Sequence, residues 1–572
     1  MYRSALIEGV APSLARAASL ESPFGLVSRS TELPQAAGEP VFAIWTGLLG
    51  DPSEALRSQR TWNHRAEAGN FDGAGGAIDA DRARHIAIVE TMERYSSCSW
   101  TEEELVWDTP AGLGEAAIGP ERWPACSATE LADPDCGLIA SDPRVPLRWV
   151  RGWSLTRGRE VFVPAVLTYL NFPVRTPSEQ FVNPISTGTA AHSDLREAVL
   201  GGLLEVIERD SIALTWLQRL RLPAVAVDPS TLGEEVAEYH RVGTSTELET
   251  HLFDATTDYG VPTLYAVQTS QVDPELAQVV AATCDIDPQR ALAKIYRELA
   301  SLRIALRSHA RGPRAQEIKG QDLTVVGGAL ADADLSMRHV FDFLLEGERP
   351  VHALDEIGTL TVSRPGADGV GGSAGPDPLE QVVANLERAG AEAIVVDITT
   401  DEARQVGMHV IKALIPEAMP LSFSHHARYL ATPRLYEAPR AMGLTVHDEA
   451  PCHPRRRCSR PRKSRARSTA SRRHEAAARA RAPQLRGRRG VGHGWRRQAS
   501  GRSLGKSRAR RAGRGRLPGF RAGSSSIRTR VRVAQGISER WHRHRSGRVG
   551  TARRRPNQCP APRGPPADVR RL

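Results

Sequence analysis

The chain has 572 residues, 40% hydrophobic and 25% charged, which leaves room for two to four domains or for one large α/β domain with extensions. No run of about 18 apolar residues occurs, so no membrane-spanning helix is expected, and the broken, acid-containing N-terminus MYRSALIEGVAPSLARAASLESPFG does not read as a secretory signal. The net charge of +10 conceals a division: after Pro451 stand 38 lysines and arginines against three acids, while residues 1–450 carry 38 basic and 63 acidic residues.

Seven cysteines without a C-x-x-C pair argue against a zinc ribbon or a thioredoxin-type centre, and such a sparse, odd set suits a reducing cytoplasm. Residues 1–62 read as an N-terminal extension of weak signal, with short strands in FGLVSRSTEL and PVFAIWTGLLG. FDGAGGAIDADRARHIAIVETMERYS reads as a glycine-rich turn and then a long helix starting at Asp79 or Asp81, where an aspartate caps free backbone N–H groups. Residues 101–140 are loop-rich. LRWVRGWSLTRGREVFVPAVLTYL reads as a β-hairpin turning near Thr156–Gly158, its second strand running Glu160–Tyr169.

A short glycine-bearing loop, STGTAAHSD, then leads into a long helix up to Trp216. Three short strands follow, in PAVAVD, ETHLFDATT and PTLYAVQTS. A third long helix is expected from Pro288 to Ser308, carrying Lys294, Arg297, Glu298 and Arg303, and another helix around Met337–Glu346. After the linker RPGADGVGGSAGPD the order is helix, buried strand, helix or turn, strand. The fold class read from this is mixed α/β, occupying residues 63–450.

Beyond residue 450 large apolar residues nearly vanish. Residues 451–572 form an Arg-rich, low-complexity tail that cannot bury enough surface to order itself. Irregular Arg, Ala, Gly and Pro are what GC-rich DNA encodes out of frame, so the tail reads as a frameshift product. The alternative is a real basic arm, which would bind nucleic acid through phosphate contacts.

Two helices share one pattern. Glu90 and Glu93 are three apart and followed by Arg94; Glu205 and Glu208 are three apart and followed by Arg209. Residues three or four apart on a helix share a face, so the two helices side by side would gather four carboxylates and two guanidiniums. No partner acids stand near His425 and His426 in sequence, so these read as polar loop residues. His85 and His192 read as surface positions, and Cys98 and Cys284 as small buried hydrophobes.

Four ordered blocks resemble the YcaO family of ATP-dependent enzymes acting on peptide backbones. They are GAGGAIDADRARHIAIVETMERYS, STGTAAHSDLREAVLGGLLEVIERDSIALTW, DIDPQRALAKIYRELASLR and IKALIPEAMPLSFSHHARYLATPRLYEAP. The last block is similar to that of azoline- and azole-forming members. The resemblance implies ATP and Mg²⁺ as cofactors, with Glu90, Glu93, Glu205 and Glu208 as metal-binding carboxylates. It also implies that Ser186, Gly188, Glu197, Arg209, Arg94 and Glu298 are nucleotide-binding positions; it assigns no catalytic residue. The activity it implies is cyclodehydration of Cys, Ser or Thr in a ribosomally made precursor peptide. The partner it implies is a separate leader-binding protein with a ubiquitin-activating-enzyme-like domain; a homodimer is a further assembly it allows. Other chemistries within the family are thioamide or amidine formation and a role in thiomethylation, and an inactive docking scaffold is a further alternative. This chain departs from the family pattern at Ile86, where a serine is usual, at Ser301, where a glutamine is usual, at Gly201, where a polar residue is frequent, and in having no proline-rich P-x-P-x-P end.

Overall fold

The computed structural model describes residues 12–49, 72–310, 325–358, 377–422 and 424–448. The tail after residue 450 and most of the glycine-rich linker lie outside the described residues, so the two expectations placed there have no structural counterpart here. The architecture is mixed α/β, with three sheets and three long helices. Among the described residues no helix is long and apolar enough to cross a membrane.

The first sheet is antiparallel, in the order β1 (Val27–Glu32), β2 (Ala43–Leu49), β3 (Gly73–Ala77). The second comprises β4 (Val106–Asp108), β5 (Leu147–Ser154), β6 (Arg159–Pro164), β7 (Thr189–His192), β13 (Ile394–Asp397) and β14 (His409–Leu414). Its order is β4-β5-β13-β14-β7, with β6 paired to β5. The third sheet runs β11 (Gln278–Cys284), β10 (Thr263–Thr269), β9 (Glu249–Asp254), β8 (Ala224–Ala226), β12 (Val351–Ala353), and its β8–β12 pair is parallel.

Four expectations need correction. GAGGA is not a turn but strand β3. Its glycines are there because the first long helix, Ala80–Cys98, lies directly on the strand. A Cβ built on Gly75 would stand 2.0 Å from the Ala83 carbonyl oxygen, and one on Gly73 2.3 Å from the Thr91 nitrogen. On the opposite face a Cβ on Gly76 would meet Arg297 Cγ at 2.9 Å. The strand is thus pressed between helix backbone and an arginine stem. Gly75→Ala is therefore expected to cost about 2–3 kcal/mol, because the obstructing atom is rigid backbone; chemical denaturation of the variant measures it.

The second correction concerns the hairpin, whose return strand stops at Pro164 and passes into a 3₁₀ turn, Ala165–Leu167. Pro164 cannot donate to a ladder and closes the strand. Third, the loop after Ser186 does not run straight into the helix: β7 intervenes, and Asp194 then caps the helix Leu195–Gln218 by accepting from the Arg196 and Glu197 N–H groups. Fourth, the segment around Met337 is a 3₁₀ stretch, Leu335–Phe341, with only a short α-turn, Asp342–Leu345. The third long helix matches expectation as Pro288–Ala310, and the C-terminal helix–strand–helix–strand order is as read. Of the two proposed helix starts, Asp79 is the cap, accepting from Arg82 N–H at 2.7 Å.

Two buried ion networks bind the ends of the described chain to the long helices. Glu39 pairs with Arg303 at 2.6 Å and with Arg307 on the third helix. Asp210 holds Arg434 of the helix Arg434–Ala441 through two contacts at 2.7 and 2.8 Å, and Arg434 also reaches Asp258 and lies over the Tyr259 ring. Asp210 directly follows Arg209, yet it is turned away from it, into the core.

Candidate active site

The glutamates of the two repeated motifs come together where the three long helices meet the sheets. Glu90 accepts from the Ala74 N–H of β3 at 3.0 Å through Oε2, while Oε1 pairs with Arg94 at 2.7 Å. Glu205 repeats the arrangement. Its Oε2 accepts from the Gly188 N–H at 3.0 Å, and Oε1 stands 3.6 Å from Arg209. Glu208 does so a third time: Oε2 accepts from the Cys284 N–H at the end of β11 at 3.1 Å, and Oε1 stands 3.5 Å from Arg209. In each case one oxygen is anchored by backbone and the other faces a guanidinium. These side chains keep some access to solvent, at 29%, 28% and 15% for Glu90, Glu205 and Glu208.

Glu93 differs. Among the described residues no hydrogen bond or ion pair fixes its carboxylate. Burial holds its pKa well above the ordinary carboxylate range; Arg94 and Lys412 oppose this, while Glu90 and Glu205 add to it. Burial likewise raises the Glu208 carboxyl to about 7, with Arg209 opposing and Glu205 and Glu298 reinforcing. Glu298, on the third long helix, pairs with its neighbour Arg297 at 2.6 Å, and Arg297 is within electrostatic reach of Glu90. The acids of the three long helices thus act on one another, Glu93 with Glu205 and Glu208 with Glu298.

Gly188 is held for two reasons. Its φ is +86°, which disfavours a side chain, and a Cβ there would stand 2.2 Å from the Ala413 carbonyl oxygen. Its carbonyl in turn accepts from Ala413 N–H at 2.7 Å. Ser186 opens this turn, its carbonyl accepting from Thr189 N–H at 2.9 Å. The loop therefore reaches the cluster through the Gly188 amide. Glu197 lies in the first turn of its helix, roughly 12 Å of helix rise before Glu205.

Two cations of the site were not assigned from the sequence. Lys412 on β14 is buried, donates to the Ile185 carbonyl at 2.6 Å, and lies within electrostatic reach of Glu205 and Glu93. Burial lowers its ammonium to about 7, with Glu205 partly restoring it. A lone lysine in HVIKALI, where every neighbour is apolar or half-buried, was the available signal. Arg297 was visible beside Glu298, but its passage across the glycine of β3 was not.

The donor set fits magnesium and a triphosphate. Carboxylates whose mutual repulsion opposes their ionisation are stabilised by a divalent cation, and Mg²⁺ takes oxygen ligands. Arg94, Arg209, Arg297 and Lys412 supply the forked and point charges that phosphate oxygens require. The readings for other residues agree with the structure. Cys98 and Cys284 are buried and desolvation pushes both thiols up, which makes them poor nucleophiles. The rings of His85 and His192 contact backbone close by in sequence, at Asp81 and Asp194. His426 is the exception, since its ring pairs with Asp133, a partner that lies far away in sequence.

Residues 74–419 match the family described as YcaO cyclodehydratase, ATP- and Mg²⁺-binding. An uncharacterised protein of Methanothermobacter thermautotrophicus is 27% identical over 351 residues, covering 60% of this chain and 80% of that protein. An uncharacterised protein encoded in the tfuA 3′ region of Rhizobium leguminosarum bv. trifolii is 33% identical over 244 residues, covering 41% of this chain and 54% of that one. In fold, the chain resembles a heterocyclase solved in complex with substrate and cofactor, with a TM-score of 0.58 and 21% identity. That likeness covers 76% of this chain and 55% of the heterocyclase, so the chain spans about half of the larger protein. With a family match across most of its described residues and a carboxylate–guanidinium cluster suited to Mg²⁺ and ATP, this chain belongs to the YcaO family of ATP-dependent enzymes.

Proposed function

We propose that this protein catalyses ATP-dependent cyclodehydration of Cys, Ser or Thr residues in a ribosomally made precursor peptide. The observation that carries the reading is the threefold arrangement of Glu90, Glu205 and Glu208, each with one oxygen anchored by backbone and the other beside an arginine. The substrate side chain gives up its S–H or O–H proton and attacks the preceding carbonyl carbon, forming a C–S or C–O bond and placing charge on the former amide oxygen. Bound ATP supplies the phosphoryl group that turns this oxygen into a leaving group. Loss of phosphate and of the amide proton then leaves the azoline ring, so ATP and the amide give ADP, phosphate and a ring one water lighter.

This chain's residues hold and orient. Glu90, Glu93, Glu205 and Glu208 would hold Mg²⁺, and Arg94 and Arg209 would grip phosphate oxygens through their planar forks. Ser186 and Gly188 would bring the loop against the nucleotide, and Glu298 would complete the cluster from the third helix; Glu197 would extend the acidic face toward the helix start. Charges placed before reaction stabilise the transferring group without reorganisation. A separate leader-binding partner with a ubiquitin-activating-enzyme-like domain would deliver the peptide.

The test is incubation of the full chain, its partner protein and the precursor peptide with Mg²⁺ and ATP, read by mass spectrometry. Cyclodehydration gives loss of one water per ring. Exchange of oxygen for sulfur would instead assign a thioamide-forming activity, and an unchanged peptide with no ATP consumption would remove the enzymatic reading.

A further inference from the structure

Away from the carboxylate cluster, one group of side chains joins two loops distant in sequence. Asp133 and Asp135 follow the short helix Ala128–Leu131, and His426 lies ahead of the helix Arg434–Ala441. A carboxylate oxygen of each aspartate and a ring nitrogen of His426 all lie within 4.8 Å of one another. His426 Nδ1 and Asp133 Oδ2 are 2.9 Å apart. Donors bound to zinc at about 2.0–2.2 Å stand about 3–3.5 Å from each other, so this pair already has nearly the spacing of adjacent ligands.

The walls of the group are built independently of it. Glu130, buried beneath, accepts from the Arg428 and Leu430 N–H groups at 2.6 and 3.0 Å and from Ser127. It thereby holds the 424–430 segment against the 127–136 loop. The Asp135 N–H donates to Asp133 Oδ1 at 3.0 Å, which orients one carboxylate through the backbone of the next.

We propose that Asp133, Asp135 and His426 bind one divalent cation of the zinc or manganese class, at a site separate from the one for Mg²⁺ and nucleotide. An imidazole with two carboxylates suits these ions, whereas Mg²⁺ prefers an all-oxygen shell with several waters. With three protein ligands, water completes the coordination. The bound cation fastens the 424–430 segment to the 127–136 loop. That segment leads directly to Arg434, whose guanidinium anchors Asp210 beside Arg209 on the second long helix. The site therefore secures the C-terminal elements behind the catalytic helix; it takes no part in the reaction.

The experiment uses the full chain, stripped with a chelator and titrated with zinc chloride in excess magnesium chloride, by calorimetry and thermal unfolding. Asp135→Asn and His426→Gln are compared with the parent. Asp135 is exposed, and its substitution leaves both the His426–Asp133 hydrogen bond and the backbone contact to Asp133 in place. Zinc is expected to raise the parent's Tm. Each variant is expected to lose one equivalent of binding or to weaken it at least tenfold, and to lose the Tm rise, with Mg²⁺-dependent nucleotide affinity unchanged. Zinc taken up by other histidines or cysteines adds equally to parent and variants. Identical zinc stoichiometry and Tm response in all three proteins would overturn the proposal and leave the Asp133–His426 contact as an ion pair only.

Discussion

Glu208→Ala is expected to weaken Mg²⁺-dependent ATP binding at least about 100-fold, near 2.7 kcal/mol, while the chain stays folded. Glu208 is tied to Cys284 N–H and faces Arg209, so its removal deletes one oxygen donor and leaves that guanidinium without one of its two carboxylates. The fold survives because Glu208 is held against its own preference: burial and the neighbouring carboxylates raise its pKa to about 7 from an ordinary 4.5. Between those two values the folded chain keeps a proton that the unfolded chain has lost. Stability contributed by Glu208 is therefore full below about pH 4.5 and is lost as pH rises through 7. Binding of Mg²⁺ needs the ionised form, so nucleotide affinity should increase across the same interval, with proton release. Glu208→Gln should flatten both profiles. Isothermal calorimetry in two buffers of different ionisation enthalpy, between pH 5.5 and 8, measures this. Unchanged affinity and proton release in the variants would take Glu208 out of the site.

Lys412→Met is expected to lower ATP-dependent turnover about 100-fold, the usual cost of removing one preorganised charge from a transferring group. Lys412 is fixed by the Ile185 carbonyl and approaches Glu205 and Glu93 from the strand beneath the helices. Its side chain is unbranched and buried, and methionine matches its length, so the packing is kept. The pH dependence has the opposite sign to that of Glu208. Burial lowers the ammonium from 10.5 to about 7, so between these values the unfolded chain binds a proton that the folded chain does not. Stability contributed by Lys412 therefore rises with pH through that window, and the methionine variant should lose that rise. Denaturation at pH 7 and pH 9.5, beside steady-state ATP hydrolysis, separates the two effects. A variant with normal turnover but a flattened stability profile would show that Lys412 only neutralises the buried carboxylates.

The sequence by itself determined the local chemistry. The three-residue spacing of Glu90 and Glu93, and of Glu205 and Glu208, follows from helical geometry and needed no tertiary information. Asp79 announced a helix start because an aspartate oxygen satisfies free N–H groups wherever a helix begins. The order of blocks was enough for the α/β class and the family. The tertiary structure alone decided which of these groups meet. GAGGA looks like a turn in isolation, since glycine is common in turns; it is a strand because a helix backbone packs against it and leaves no room for side chains. Asp210, next to Arg209 in the motif, belongs to the core because a helical step of about 100° turns it away from its neighbour, toward Arg434. Lys412, Arg297 and the Asp133–His426 pair joined their partners across hundreds of residues. Local periodicity records which face a side chain occupies, whereas what that face meets depends on how sheets and helices fill a common core.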